Sequence, residues 1–384
     1  MNEQFGDNKE TGAVNVPQYT YNPEPQIDDN DPVMLRRKIQ KGYGWASLSM
    51  ILQYIFINVA VIICSVAYSA FKTTEFMAAN PDATQKELME FTTELSGNMM
   101  SNMLFLLVAT VIGYLIGNIG STLIATSTVR AFKVKEFFGK IKVSGSSVLL
   151  AAFVILGLQA LSMFAQAFIS NITGYTGVNE ATSDLLSFSD NMTTNILLVA
   201  YTVIIAPITE ELLMRGFILN SLSPVNRNFG IIASSLLFGL MHGNFNQIFN
   251  GFLLGLLLAY IAMKSGSIKA SIICHMAANF NAMFCGAFYE YYLLNERGED
   301  AAYTAEVIHF AVLLVLGIIA AVLLLKRHGM VTQNDCIVEN YSFNMDKAEE
   351  KRLTWKLLLA RPSFWIITAI YLITAITSIT AISG

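Results

Sequence analysis

The chain has 384 residues, of which 54% are hydrophobic and only 14% charged, and its mean hydropathy is +0.51. Soluble domains carry about 25% charged residues, so a soluble globular fold is excluded and an all-α, polytopic membrane helix bundle is expected. The net charge of −4 divides between an expected basic cytoplasmic face and acidic outer loops, and nothing in it points to nucleic acid binding.

Residues 1–45 read as an acidic tail followed by a basic juxtamembrane segment. "NVPQYTYNPEPQIDDNDP" concentrates prolines and acids and cannot bury enough apolar surface to order itself, so residues 1–34 are expected to be disordered. Apolar runs near the ~20 residues needed to cross a bilayer come next, at 46–71, 101–126, 146–170, 195–220, 229–245, 247–263, 270–290, 305–325 and 363–383. The first is too long and too far from the start to be a cleavable signal, so it remains as a span. These runs divide the chain into amino-terminal spans (46–194), a central group (195–290) and carboxy-terminal spans (291–384) with a charged, partly helical segment at 326–361. With the amino terminus inside, all but four of the 24 Lys and Arg face the cytoplasm. Lys72, Lys86 and Arg297 fall outside and Arg215 within a span, which is the positive-inside pattern and puts the carboxy terminus outside. A multi-pass location is implied, in the cell membrane if the source is bacterial.

The loops 72–98 and 171–194 are long and polar, and "NPDATQKELMEFTTEL" in the first reads as a short amphipathic helix. Asn171 and Asn191 head glycosylation sequons on the outer side. The pairs Gly113/Gly117 and Gly251/Gly255 have GxxxG spacing, which reads as close packing inside the bundle ahead of a dimer contact. Cys64, Cys274, Cys285 and Cys336 show no CxxC spacing, so neither a disulfide framework nor a cysteine zinc site is implied.

The chemistry is concentrated at "APITEELLMRG". An ionised side chain at the bilayer centre costs about 2.5–3.5 kcal/mol, so Glu210, Glu211 and Arg215 must face the bundle interior or a wet cavity. Glu211 and Arg215 stand at i and i+4 with the acid first, the favourable order for a pair. Glu210 is rotated away from them and has no partner on its own helix. Two further spans add His242 in "FGLMHGN" and His275 in "CHMAANFN", with Asn279 at i+4 from His275. Singly, each residue reads as interhelical glue, and His309 and His328 need no function. Together they fit a water-activating carboxylate, Glu210, assisted by His242, with His275 and Asn279 as oxyanion donors. Two readings remain beside it. Glu210, His242 and His275 make a plausible zinc set, although HExxH is absent, and buried acids and histidines also form ion relays. A transporter is the weaker of the two, because the charged groups sit in one central module without a repeated pair of broken helices.

In order along the chain, "EELLMR" fits EExxxR, "FGLMH" fits FxxxH and "HMAAN" fits HxxxN. This pattern, over roughly 195–290, resembles the CPBP family of intramembrane endopeptidases, which includes the CAAX prenyl proteases and bacterial proteins of bacteriocin processing and immunity. The resemblance implies that Glu210 is the catalytic carboxylate aided by His242. It makes His275 and Asn279 the oxyanion site and gives Glu211, Arg215 and Phe238 supporting roles. Members are described both as zinc enzymes and as metal-free glutamate proteases, and the HxxxN pair favours the latter. Expected partners are the lipid bilayer and a peptide or protein substrate, whether CAAX-like or a bacteriocin or pheromone precursor. The alternative is a non-catalytic immunity or scaffold protein that uses the same cluster structurally. One difficulty stands. At 1.5 Å per residue Glu210, His242 and His275 lie about 15, 20 and 8 Å from the cytoplasmic ends of their spans. Tilt or a re-entrant turn at "GNFNQ" must bring them level.

Overall fold

The computed structural model describes residues 32–173, 188, 191–338 and 354–380. Residues 1–37 form a unit of their own. The expected disordered tail lies outside the described residues as far as Asp31, and a helix begins at Pro32. The remaining described residues belong to the unit Lys38–Gly384.

Among the described residues there is no strand. The helices are α1 (Pro32–Ala79), α2 (Gln85–Ser101), α3 (Met103–Val129), α4 (Gly145–Thr173), α5 (Met192–Leu222), α6 (Arg227–Met241), α7 (Phe245–Ser265), α8 (Ile268–Arg297), α9 (Glu299–His328) and α10 (Pro362–Thr380). Seven of them are long and apolar enough to cross a membrane, while α6 and α10 are shorter apolar helices. The protein is a polytopic membrane bundle, and each of the nine expected runs overlaps one of its described helices. The lipid-facing sides carry large exposed apolar residues such as Ile62, Val66, Val315 and Ile373.

Local chemistry explains the element ends. Helix α2 starts at a capping box, in which Thr84 Oγ1 accepts from the Glu87 amide and Glu87 Oε2 accepts from the Thr84 amide at 2.7 Å. It occupies the stretch expected to be amphipathic. Helix α5 starts at Asn191, whose Oδ1 accepts from the amides of Thr193 and Thr194. Most of the 171–194 loop before it lies outside the described residues, as does 339–353 of the charged segment.

Close approach is made by glycine. A Cβ on Gly239 of α6 would stand 2.4 Å from the Ile248 carbonyl oxygen, and one on Gly255 of α7 would stand 2.9 Å from Ser235 Cβ. Gly251 and Gly255 therefore lock the α6–α7 hairpin, while Gly113 and Gly117 pack on Ile57 and Gln53 of α1. Both GxxxG pairs serve packing within the chain.

At the start of α6 and the end of α7, residues 329–338 form a strap. Lys264 Nζ donates to the Met330 carbonyl and pairs with Asp335 at 2.9 Å, and the Tyr260 hydroxyl donates to the Gly329 carbonyl. Gln333 Nε2 donates to the Val225 carbonyl, closing the strap over the start of α6.

Candidate active site

Helix α5 is not uniform. An α-helical insert, Ala206–Glu211, lies between two wider π-helical stretches, Ala200–Ile205 and Leu212–Leu219. Pro207 sits at the start of the insert, where a missing N–H is tolerated. π-Segments are rare and mark functional positions. Here they free backbone carbonyls that side chains then take up. Asn220 Nδ2 donates to the carbonyls of Arg215 and Gly216, and Asn279 Nδ2 donates to that of Thr202 at 2.8 Å. A Cβ on Gly216 would meet the Phe137 ring at 2.7 Å, so the single turn Val134–Phe137 presses its ring against the second π-stretch.

The insert turns both carboxylates inward. Glu211 is fully buried and pairs through Oε1 with Arg215 Nη1 at 3.0 Å. The same oxygen lies 3.0 Å from His275 Nδ1. A carboxylate oxygen accepts, so that nitrogen carries the proton, and the other imidazole nitrogen is thereby aimed at Glu210. His275 Nε2 lies 3.9 Å from Glu210 Oε2. His275 thus stands between the two carboxylates, with Glu210 retaining 8% of its surface.

Arg215, 1% exposed, is held on three sides. Besides Glu211, Nη2 donates to the Gly255 carbonyl at 3.3 Å, and the guanidinium carbon lies 4.3 Å from the centre of the Phe238 ring. The Phe238 ring also meets His242 and His275 edge-on, with centroids 5.1 and 5.7 Å away. His242 joins the cluster through that ring. Its Nδ1 is 2.8 Å from the Phe238 carbonyl. Only a protonated Nδ1 can donate to a carbonyl, so in the neutral ring Nε2 is a free lone pair.

The side chains of Glu210 and His275 are level, 3.9 Å apart, and His242 meets the cluster through the Phe238 ring. Helix α6 has only 15 residues, about 22 Å, and ends at Met241 with Gly243 at positive φ. The expected full span at 229–245 is therefore a short helix followed by a turn. The polar break "GNFNQ" is shorter than expected, since α7 already begins at Phe245.

Glu210, Glu211, Arg215, Phe238, His242 and His275 come together from α5, α6 and α8. Asn279 is on the same helix as His275, but one of its N–H groups is committed to Thr202. In both histidines Nδ1 is engaged, by Glu211 in His275 and by the Phe238 carbonyl in His242, which leaves Nε2 as the nitrogen available for chemistry. Among the described residues no three His, Cys, Asp or Glu side chains converge on one point.

Other contributors carry no signal in the sequence. The Gly255 carbonyl becomes a neighbour of Arg215 only through helix packing. The phenols of Tyr114 and Tyr201, within electrostatic reach of Glu210, come from another helix and from far along α5. His309 and His328, away from the site, are hydrogen-bonded to Asn281 and Ser147.

Residues 192–281 match the family model described as Rce1-like, type II CAAX prenyl endopeptidase. No curated protein and no solved structure matches the chain. The matched stretch runs from the start of α5 into α8 and contains every residue of the three motifs. The chain therefore carries a membrane-embedded protease domain of the CPBP, or CAAX-type endopeptidase, family.

Proposed function

We propose that this CAAX-type intramembrane protease cleaves a peptide bond of a membrane-associated protein or peptide with Glu210 as its base and without a metal. The observation that carries the reading is His275 held between two carboxylates, Glu211 at 3.0 Å and Glu210 at 3.9 Å. One carboxylate is neutralised by Arg215 and the other is left for chemistry.

Glu210 takes a proton from water while the water oxygen adds to the scissile carbonyl carbon. His242, with its free Nε2, orients that water. The oxyanion so formed accepts from His275 Nε2–H and from the N–H that Asn279 does not spend on Thr202. His275 can donate there only as imidazolium, because Nδ1–H already faces Glu211. In that state Glu210, Glu211, Arg215 and His275 sum to zero charge, which suits a buried cluster. The C–N bond then breaks, and the proton held by Glu210 passes to the leaving amine. In the orientation with the amino terminus inside, the substrate enters from the cytoplasmic side.

The test is Glu210→Gln, nearly isosteric but unable to act as a base. A quenched fluorogenic peptide ending in a farnesylated CAAX box, presented to the purified protein in proteoliposomes, is the probe. Loss of about 10²–10⁴-fold in turnover is expected with folding intact. Full activity in that variant would return the cluster to a structural tie or a peptide-binding scaffold, and zinc-restored activity after chelation would move the chemistry to a metal.

A further inference from the structure

A second buried polar network lies behind the site and joins three residues outside the family-matched stretch, Gln53, Asn118 and Tyr371, to three within it. The Tyr371 hydroxyl of α10 donates to Gln53 Oε1 of α1 at 3.0 Å. Gln53 Nε2 donates to Asn118 Oδ1 of α3 at 2.9 Å and to Met241 Sδ of α6 at 3.3 Å. Asn118 Nδ2 donates to Thr209 Oγ1 at 3.1 Å, and Thr209 Oγ1 donates to the Ala206 carbonyl at 3.2 Å. Gln53, Asn118, Thr209 and Tyr371 are 1%, 0%, 4% and 5% exposed. The donors run in one direction, from α10 to α5.

Both ends fall beside the proposed chemistry. Thr209 precedes Glu210 and Met241 precedes His242. The Ala206 carbonyl is the one that α-helical geometry gives to the Glu210 amide. The insert carrying Glu210 has only six residues between π-stretches, so its own α-type ladder is short. Met241 is the last residue of a helix that ends in a turn, so its position is likewise set from outside. The amide of Gln53 reaches Met241 directly and Thr209 through Asn118.

We infer that Gln53, with Asn118 and Tyr371, is a positioning group that fixes the spacing between the Glu210 and His242 segments. The catalytic meaning of that spacing rests on the proposed function, whereas its geometry does not. Polar networks in membrane bundles also serve as helix glue, so the test must separate positioning from stability.

Hydrogen exchange in Gln53→Met supplies a readout independent of activity. The amides of 206–211 and 239–242 are expected to exchange at least tenfold faster together, with the α4–α9 pair unchanged. A rise spread evenly over the bundle, or in neither segment, overturns the inference. With the farnesylated CAAX peptide, Gln53→Met and Thr209→Val are expected to lower kcat at least tenfold with KM within twofold, and Thr209→Ser to recover most of the loss. Unchanged kcat in Gln53→Met, or no recovery in Thr209→Ser, also overturns it. Glu210→Gln measured alongside reports on the proposed function itself. If that variant is fully active, the mechanism fails while the exchange data still decide the positioning role.

Discussion

Arg215 shows how one buried ion can organise several helices. It neutralises Glu211 on its own helix, donates to the Gly255 carbonyl of α7 and lies on the face of Phe238 from α6. Removing it leaves a fully buried carboxylate with its main counter-charge gone. Breaking such a pair costs about 3–5 kcal/mol, so Arg215→Met is expected to lose that much stability in detergent unfolding. Arg215→Lys should recover only part of it, because a point charge cannot also reach a carbonyl and cover a ring. The pair itself was legible in the sequence from its i, i+4 spacing. The bridging place of His275 was not, since its contact with Glu211 joins positions 64 residues apart. Asn279 was legible as a companion of His275, but its bond to Thr202 depends on a carbonyl freed by a π-stretch, and no periodicity announces one.

At the scale of elements, the α6–α7 hairpin is fixed by absent side chains. The Cβ of Gly239→Ala would need to stand 2.4 Å from the Ile248 backbone oxygen. No rotamer relieves a clash with backbone, so the helices must separate. The variant is expected to lower thermal stability and, because His242 ends α6, to lower peptide cleavage as well. Gly145→Ala, whose Cβ would meet nothing within 4 Å, is the control. GxxxG spacing identified Gly251 and Gly255 as packing positions. Gly239, their counterpart, shares that spacing with Gly243, but the helix ends between the two, so they form no common stripe. Its close approach to α7 was therefore not legible. The helical runs themselves were legible throughout, because length and apolarity fix them. Their internal changes between α and π were not, since these depend on tertiary contacts such as Phe137 on Gly216.

Across the whole molecule, the strap 329–338 ties the end of α9 to the start of α6 and the end of α7. Burial pushes the Asp335 carboxyl up, but its bonds to Lys264 and Thr332 outweigh that and hold it below the usual carboxylate range. A carboxyl held low in the folded state adds stability that is complete above its unfolded pKa of about 3.9 and is lost as pH falls through the lower folded value. Hydrogen exchange in 329–338 is therefore expected to be flat from neutral pH down to about 5 and to rise below about 4. Asp335→Asn should show no such step. The strap was not legible in the sequence, because Lys264 and Asp335 belong to segments with no pattern in common.

The last helix acquires a purpose from the shortness of α6. A rod of about 22 Å cannot keep its two ends at opposite water boundaries about 30 Å apart. Set across such a layer, one of its ends stops short of the water boundary, where bare peptide groups survive only under a protein cover. At the Gly243 end that cover is α10, for Thr374 lies against Gly243, where an added Cβ would meet its methyl group at 3.1 Å. A chain without α10 would leave the Gly243 turn bare.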